Sequence, residues 1–210
     1  MRIPTIAMLS LLVSACQSAY YEAAEKVGYH KRDILVDRVE DSRDAQQEAG
    51  EQFQSALEHL QTMINYDGGD LEDMYDDMAD VYEDSGAAAE QVRKRIDDVD
   101  NVANSLFKEW EAEIKEYSSA SLRADSAAKL RDTRSRYDTM LAAMRRSEAK
   151  MNPVLASLKD NTLYLKHNLN AQTVASLKSE FSTIEANIDA LILEVREAIA
   201  SSDAFIASMQ

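Results

Sequence analysis

The sequence predicts an all-α protein, in which long antiparallel helices form an elongated coiled coil or a four-helix bundle. Three observations predict it. Helix breakers are scarce: the five glycines are confined to positions 28, 50, 68, 69 and 86, and beyond Pro4 the one further proline is Pro153. The intervals between them are rich in Ala, Leu, Glu, Lys, Arg, Gln and Met, with apolar residues recurring at steps of three and four and no strand-like alternation. Finally, three turn-forming stretches, 65–70, 117–121 and 167–170, divide the chain beyond its N-terminal region into similar segments. Each holds about 40 residues and would be about 60 Å long at the helical rise of about 1.5 Å per residue. Equal lengths joined by short turns favour an up-down-up-down arrangement.

Residues 1–15 form a separate unit. Arg2 precedes a short apolar run, Ile6 to Val13, and small residues come after it. The run is too short to cross a bilayer as a permanent helix, which needs about 20 apolar residues, so residues 1–15 read as a signal peptide. Cys16, the only cysteine, stands directly after Val13-Ser14-Ala15. That context resembles the lipobox of bacterial lipoproteins, in which the leader is cleaved and the cysteine becomes the acylated first residue. A single acyl chain holds a protein at a membrane only marginally; the resemblance implies a multiply acylated, palmitate-bearing Cys16. Gln17 stands where an aspartate commonly retains such proteins at the inner membrane, so the expected location is the periplasmic face of the outer membrane.

Residues 16–210 are expected to form a single elongated helical domain. Its first helix, about 20–64, is the least regular, with Ala45, Ala49, Phe53, Ala56, Leu60 and Met63 along one face. Tyr20 and Tyr21 at its start could pack in the core or lie at the headgroup level. The second helix, about 71–117, starts after Asp70, a plausible N-cap. Its seam passes through Met74, Met78, Val81, Ser85, Val92, Val99, Val102 and Leu106, then drifts by one position to Ile96, Ala103 and Trp110. Such drift is expected of a nearly straight helix read against a seven-residue repeat.

The third helix, about 122–167, carries Leu130, Tyr137, Met144, Met151, Leu158 and Leu165 at strict sevens, with Leu141, Leu155 and Leu169 as companions. Pro153 lies inside it and removes one backbone donor, so a kink is expected there, or a break with Asn152 capping a restart. The fourth helix, about 171–208, has the clearest seam: Leu177, Phe181, Ile184, Ile188, Leu191, Val195, Ala198, Ser202 and Phe205, widened by Ile192, Ile199 and Ile206. A widened stripe suits a bundle better than an isolated two-stranded coil.

Charge offers a check on register. Folding back at Gly68 and Gly69 would bring Arg93, Lys94 and Arg95 level with Glu40, Asp41 and Asp44. Folding back near Ser119 would bring Glu109, Glu113 and Glu116 level with Arg131, Lys129 and Arg123. The whole chain carries a formal charge of -15, or -16 once Arg2 leaves with the leader. Such acidity repels nucleic acid and anionic lipid, and no nucleic-acid partner is expected.

Part of that charge is concentrated. Asp67, Asp70, Glu72, Asp73, Asp76, Asp77, Asp80, Glu83 and Asp84 crowd the first turn and the helix after it. Within this group Asp67, Asp70, Asp73, Asp76, Asp77 and Asp80 form a candidate surface for a divalent cation or a basic partner. Their spacing lacks the ligand pattern of an EF-hand loop, and a solvated, self-repelling tip explains them equally.

No catalytic starting point emerges. His30, His59 and His167 are far apart, and none has a glutamate three residues before it, as the di-iron bundles require. HExxH, a nucleophile elbow and a phosphate-binding glycine loop are missing. No enzyme activity and no cofactor are expected.

The stretches 20–28, 30–39, 67–73 and 165–171 resemble an uncharacterised family of Gram-negative coiled-coil envelope proteins, a domain of unknown function. The resemblance covers nearly all of the chain after Cys16 and implies helices and an envelope location, but no activity, cofactor or site. The expected function is that of a non-enzymatic lipoprotein, held to the bilayer through Cys16 and acting as a periplasmic spacer or protein-docking scaffold. Its helices would meet a protein partner or self-associate. The alternative is a ligand-binding module using the acidic tip, residues 67–84.

Overall fold

Four helices account for almost all of the computed structural model, which describes residues 30–65, 71–168 and 171–210. They are α1 (Lys31–Asn65), α2 (Leu71–Ile114), α3 (Ala120–His167) and α4 (Ala171–Met209). No strand occurs among the described residues. The expected leader, Cys16, Tyr20, Tyr21, Leu169, and Asp67 and Asp70 of the acidic turn lie outside them.

Each helix packs on its neighbours in the chain, and α4 closes the ring against α1. Contacts across the interfaces establish antiparallel neighbours. From α1 to α2, Lys31 meets Glu109 and Asp41 meets Arg95. From α2 to α3, Asp100 meets Tyr137 and Met78 meets Thr162. Along the α1–α4 seam, Arg43 meets Asp203. The diagonal pair α1 and α3 runs parallel, with Ser42 against Met144 and Gln46 against Ser147. This is an up-down-up-down four-helix bundle.

The α2–α3 turn shows how local chemistry sets an end. After Ile114 the backbone tightens, with Lys115 N–H donating to the Ala112 carbonyl and Glu116 N–H to that of Glu113. Ser119 is extended (φ -76°, ψ 119°), and its hydroxyl accepts from the Leu122 N–H at 3.4 Å. That N-cap starts α3 at Ala120, slightly earlier than the composition suggested. Arg123 reaches back and donates to the Tyr117 carbonyl at 2.8 and 3.3 Å, tying the turn. At the other end of α3, Asn168 supplies the cap: its side-chain amide donates to the Tyr164 carbonyl and its N–H to that of Leu165.

Helix α3 continues through Pro153 without interruption, so the structure shows no restart capped by Asn152. Both residues face solvent, where the carbonyl deprived of its partner can reach water.

The heptad seams are buried as their periodicity requires. On α4, Leu177, Ile184, Ile188, Leu191, Val195, Ala198 and Ser202 are in the core; on α3 all six residues of the strict seven-residue series are. The companion row on α3 differs from expectation. Leu141 and Leu155 are half-buried, whereas Met140, Ser147, Val154 and Asn161 are buried. The interior lies three rather than four residues beyond the first row, and the leucines flank it against a neighbouring helix.

The core changes along the axis. Towards the α2–α3 turn Phe107, Tyr137 and Phe205 stack edge to face, with ring centroids 5.3 and 6.3 Å apart, and the Arg134 guanidinium lies 4.9 Å over Phe107. The middle is a waist of small and polar residues: Ala45, Gln46, Ala49, Ala89, Ser147 and Ala198. Gly50 also belongs there, since a Cβ on it would lie 3.3 Å from the Val195 Cγ1. Towards the opposite pole, beyond the single ring of Phe53, the filling is aliphatic and sulfur-rich, with Leu60, Met63, Met74, Met78, Leu158 and Ile184.

Candidate functional site

Near Leu71, α2 begins with carboxylates because the N-terminus of a helix favours negative charge. Glu72 and Asp73 lie in its first turn. Asp73, Asp76, Asp77 and Asp80 succeed one another at steps of three, one and three, which places them on one outward face while Met74 and Met78 enter the core. All four are exposed. His59 of α1 stands 3.9 Å from Asp77, a loose contact between two half-exposed side chains. Among the described residues, no three His, Cys, Asp or Glu side chains converge on a point that could hold a metal ion. The structure therefore gathers four of the six candidate acids as a charged face, not as a coordination cage.

The bundle surface carries shallow grooves. One of about 480 Å³ opens near the α2–α3 turn, between Arg32, Leu106, Trp110, Glu113, Lys129 and Met209. Another, about 440 Å³, runs along the α1–α4 seam beside Gly50, Gln54, Ile192, Val195 and Ile199. A polar groove of about 530 Å³ lies between α3 and α4 near Asp160, Asn161, Tyr164, Ser179 and Glu180. None of the three linings pairs a nucleophile with an imidazole base.

A connected set of ion pairs lies between α2 and α3 at the middle of the bundle. Glu148, whose side chain is 14% exposed, accepts from Arg93 at 2.8 Å and from Arg145 at 3.1 Å, and Arg145 also holds Asp97. Burial alone would lower the Arg145 pKa; its hydrogen bonds to Asp97 and Glu148 outweigh that, and the net direction is up. Tyr137 donates to Asp100 at 2.7 Å, and burial, reinforced by that carboxylate, pushes the phenol far above its usual pKa of about 10. It stays neutral, as a structural donor.

Register differs from expectation in part. Arg95 meets Asp41 as expected, at 3.5 Å. Glu109, expected opposite α3, is instead taken by Lys31 of α1 at 3.0 Å, and Lys129 pairs within its own helix with Asp125. Arg134 and Glu111, 2.8 Å apart, make an α2–α3 ion pair near these positions. Asp97–Arg145, Asp100–Tyr137 and Trp110–Ser126 remain centred on the turn near Ser119, so the level is as expected and the chosen partners differ.

Sequence reasoning missed the buried polar waist. Ser147 donates to the Gln46 carbonyl oxygen at 3.0 Å, and the Gln46 amide nitrogen has no partner among the described residues. The signal was legible in part, since Ser85 and Ser202 already stood on apolar seams.

Residues 20–209 match the family model described as a protein of unknown function (DUF2959). Neither a curated protein nor a solved structure matches the chain.

Proposed function

The chain belongs to the DUF2959 family of proteins of unknown function, and we propose that it acts as a lipid-anchored helical spacer or protein-docking scaffold on the periplasmic face of the outer membrane. The observation that carries this reading is Val13-Ser14-Ala15-Cys16 after Arg2 and a short apolar run. Two further facts support it. The family match begins at residue 20, just after that cysteine, and no described helix is long and apolar enough to cross a membrane. The bundle supplies length: α3, at 48 residues, spans about 70 Å at about 1.5 Å per residue. Among the described residues, the buried hydroxyls of Ser147, Thr162 and Ser202 are tied to helix carbonyls, which suits a packed scaffold.

Cys16→Ala tests the reading. Wild-type protein should fractionate with membranes and yield an acylated N-terminal peptide by mass spectrometry, whereas the variant should be soluble with its helical circular dichroism and melting temperature retained. Membrane retention of the variant at unchanged levels would defeat the lipoprotein assignment.

A further inference from the structure

Two poles of the bundle could face a membrane, and they differ in charge and in where the chain enters. We infer that the α2–α3 turn, with Tyr117 and Leu122 at its surface, is the face presented to the headgroup layer of the anchoring bilayer. The inference rests on the reading of Cys16 as the lipid anchor. Helix α1 begins at this pole, with Lys31 bonded to Glu109, so the chain preceding the helices enters here. Fourteen residues, 17–30, separate Cys16 from Lys31; fully extended they reach at most about 50 Å. An anchor at Cys16 therefore keeps this pole near the bilayer at high local concentration, where even a weak surface affinity sets orientation.

The shape of the pole suits that contact. Because Lys31 lies level with Glu109, residues 110–114 of α2 and the first turns of α3 run past the start of α1. The projecting tip exposes Tyr117 (38%) and Leu122 (56%), with Ile114 half-buried behind them. A tyrosine there can bury its ring and keep its hydroxyl wet, as at membrane interfaces. The opposite pole also exposes apolar groups, Leu163 (50%) and Tyr164 (42%), so exposure does not choose between them. Charge does. The projecting residues 110–123 hold Lys115 and Arg123 against Glu111, Glu113 and Glu116, close to neutral, while at the opposite pole the seven carboxylates of residues 72–84 outnumber Lys159 and Lys166. Anionic headgroups repel the second far more than the first.

The test uses the full-length lipidated protein in vesicles of phosphatidylethanolamine and phosphatidylglycerol. With Cys16 acylated, one introduced cysteine is the only thiol available for a fluorophore, placed at Ser121→Cys or Gln61→Cys, both exposed. Lipids carrying a headgroup-level spin label serve as quencher. Quenching should be several-fold stronger at 121 than at 61, and adding Tyr117→Asp and Leu122→Asp should remove at least half of that difference with the melting temperature unchanged. Equal quenching at the two positions, or stronger quenching at 61, overturns the orientation, while co-flotation with the vesicles keeps the anchor. An undiminished difference in the double-aspartate protein overturns the role of Tyr117 and Leu122. Protein that fails to float overturns the anchor and the orientation together.

Discussion

The two ends of the bundle are built on different physics. Near the α2–α3 turn, ring geometry and cross-helix ion pairs specify partners: Phe107, Tyr137 and Phe205 stack at defined angles, Arg134 of α3 pairs with Glu111 of α2, and Lys31 of α1 pairs with Glu109. Near the acidic pole, the interior is methionine and aliphatic side chains, and the surface of α2 carries like charges three and four residues apart. Methionine adapts to irregular space without fixing a unique geometry. The first end is therefore the specified one, and the second is held by burial against its own repulsion.

Substitutions can break that comparison. The largest effect is expected from Phe107→Ala, which removes a buried ring between Tyr137 and Arg134; urea denaturation should show a loss of about 3–5 kcal/mol. Met78→Leu, equally buried at the other end, should cost less than about 1.5 kcal/mol. A loss from Met78→Leu well above that figure would mean that the space at the acidic end has a fixed shape that leucine cannot fill. Next, Glu148→Gln removes a charge that two arginines share. A loss of about 1–2 kcal/mol, shrinking as salt is added because both arginines are partly exposed, is expected from the same titration.

Tyr137 makes the comparison pH-dependent. Its folded pKa is raised, chiefly by burial and then by Asp100, so above the unfolded value of about 10 the unfolded chain gives up a proton that the native state keeps. The contribution of this group is fully present below pH 10 and is lost as pH rises beyond it. Melting temperatures from pH 8 to 11 should fall more steeply for wild type than for Tyr137→Phe; parallel curves would show that the phenol is not held neutral.

Smaller effects are expected at the waist and at the acidic pole. Gln46→Leu discards a buried amide nitrogen without a partner, while Ser147 keeps its bond to the Met144 carbonyl. Stability should stay within about 1 kcal/mol of wild type, on either side. Neutralising Asp73, Asp76, Asp77 and Asp80 to Asn should leave the fold intact and raise the melting temperature slightly, since each like-charged helical pair costs a few tenths of a kcal/mol. Calcium should not stabilise the wild type beyond the effect of ionic strength; a saturable, calcium-specific rise lost in the neutralised protein would favour the ligand-module alternative.

The sequence carried the helices and their inward faces because period and breaker placement are local properties. The seven-residue series from Leu130 to Leu165 and the α4 seam are buried throughout most of their described length. What it carried poorly depends on register. Choosing Leu141 over Met140 as the companion row was a choice by apolarity, yet the angle between α3 and its two neighbours decides which row faces inward. The distance of Glu109 from the turn is legible and puts it level with α3, whereas the reach of Lys31 across from α1 is not. The charged face of Asp73, Asp76, Asp77 and Asp80 could be read from helical spacing, and the Gln46–Ser147 contact could not, since nothing local brings the diagonal helices together.

If Cys16 anchors the bundle as proposed, the acidic pole stands away from the bilayer, and the height of that pole measures this most directly. Energy transfer from a donor at Gln61→Cys in the lipidated protein to acceptor lipids in the vesicle surface reports it. An upright bundle with α1 of 35 and α3 of 48 residues predicts about 50–70 Å at about 1.5 Å per residue. A height below about 20 Å, the thickness of two helices lying flat, would contradict the account.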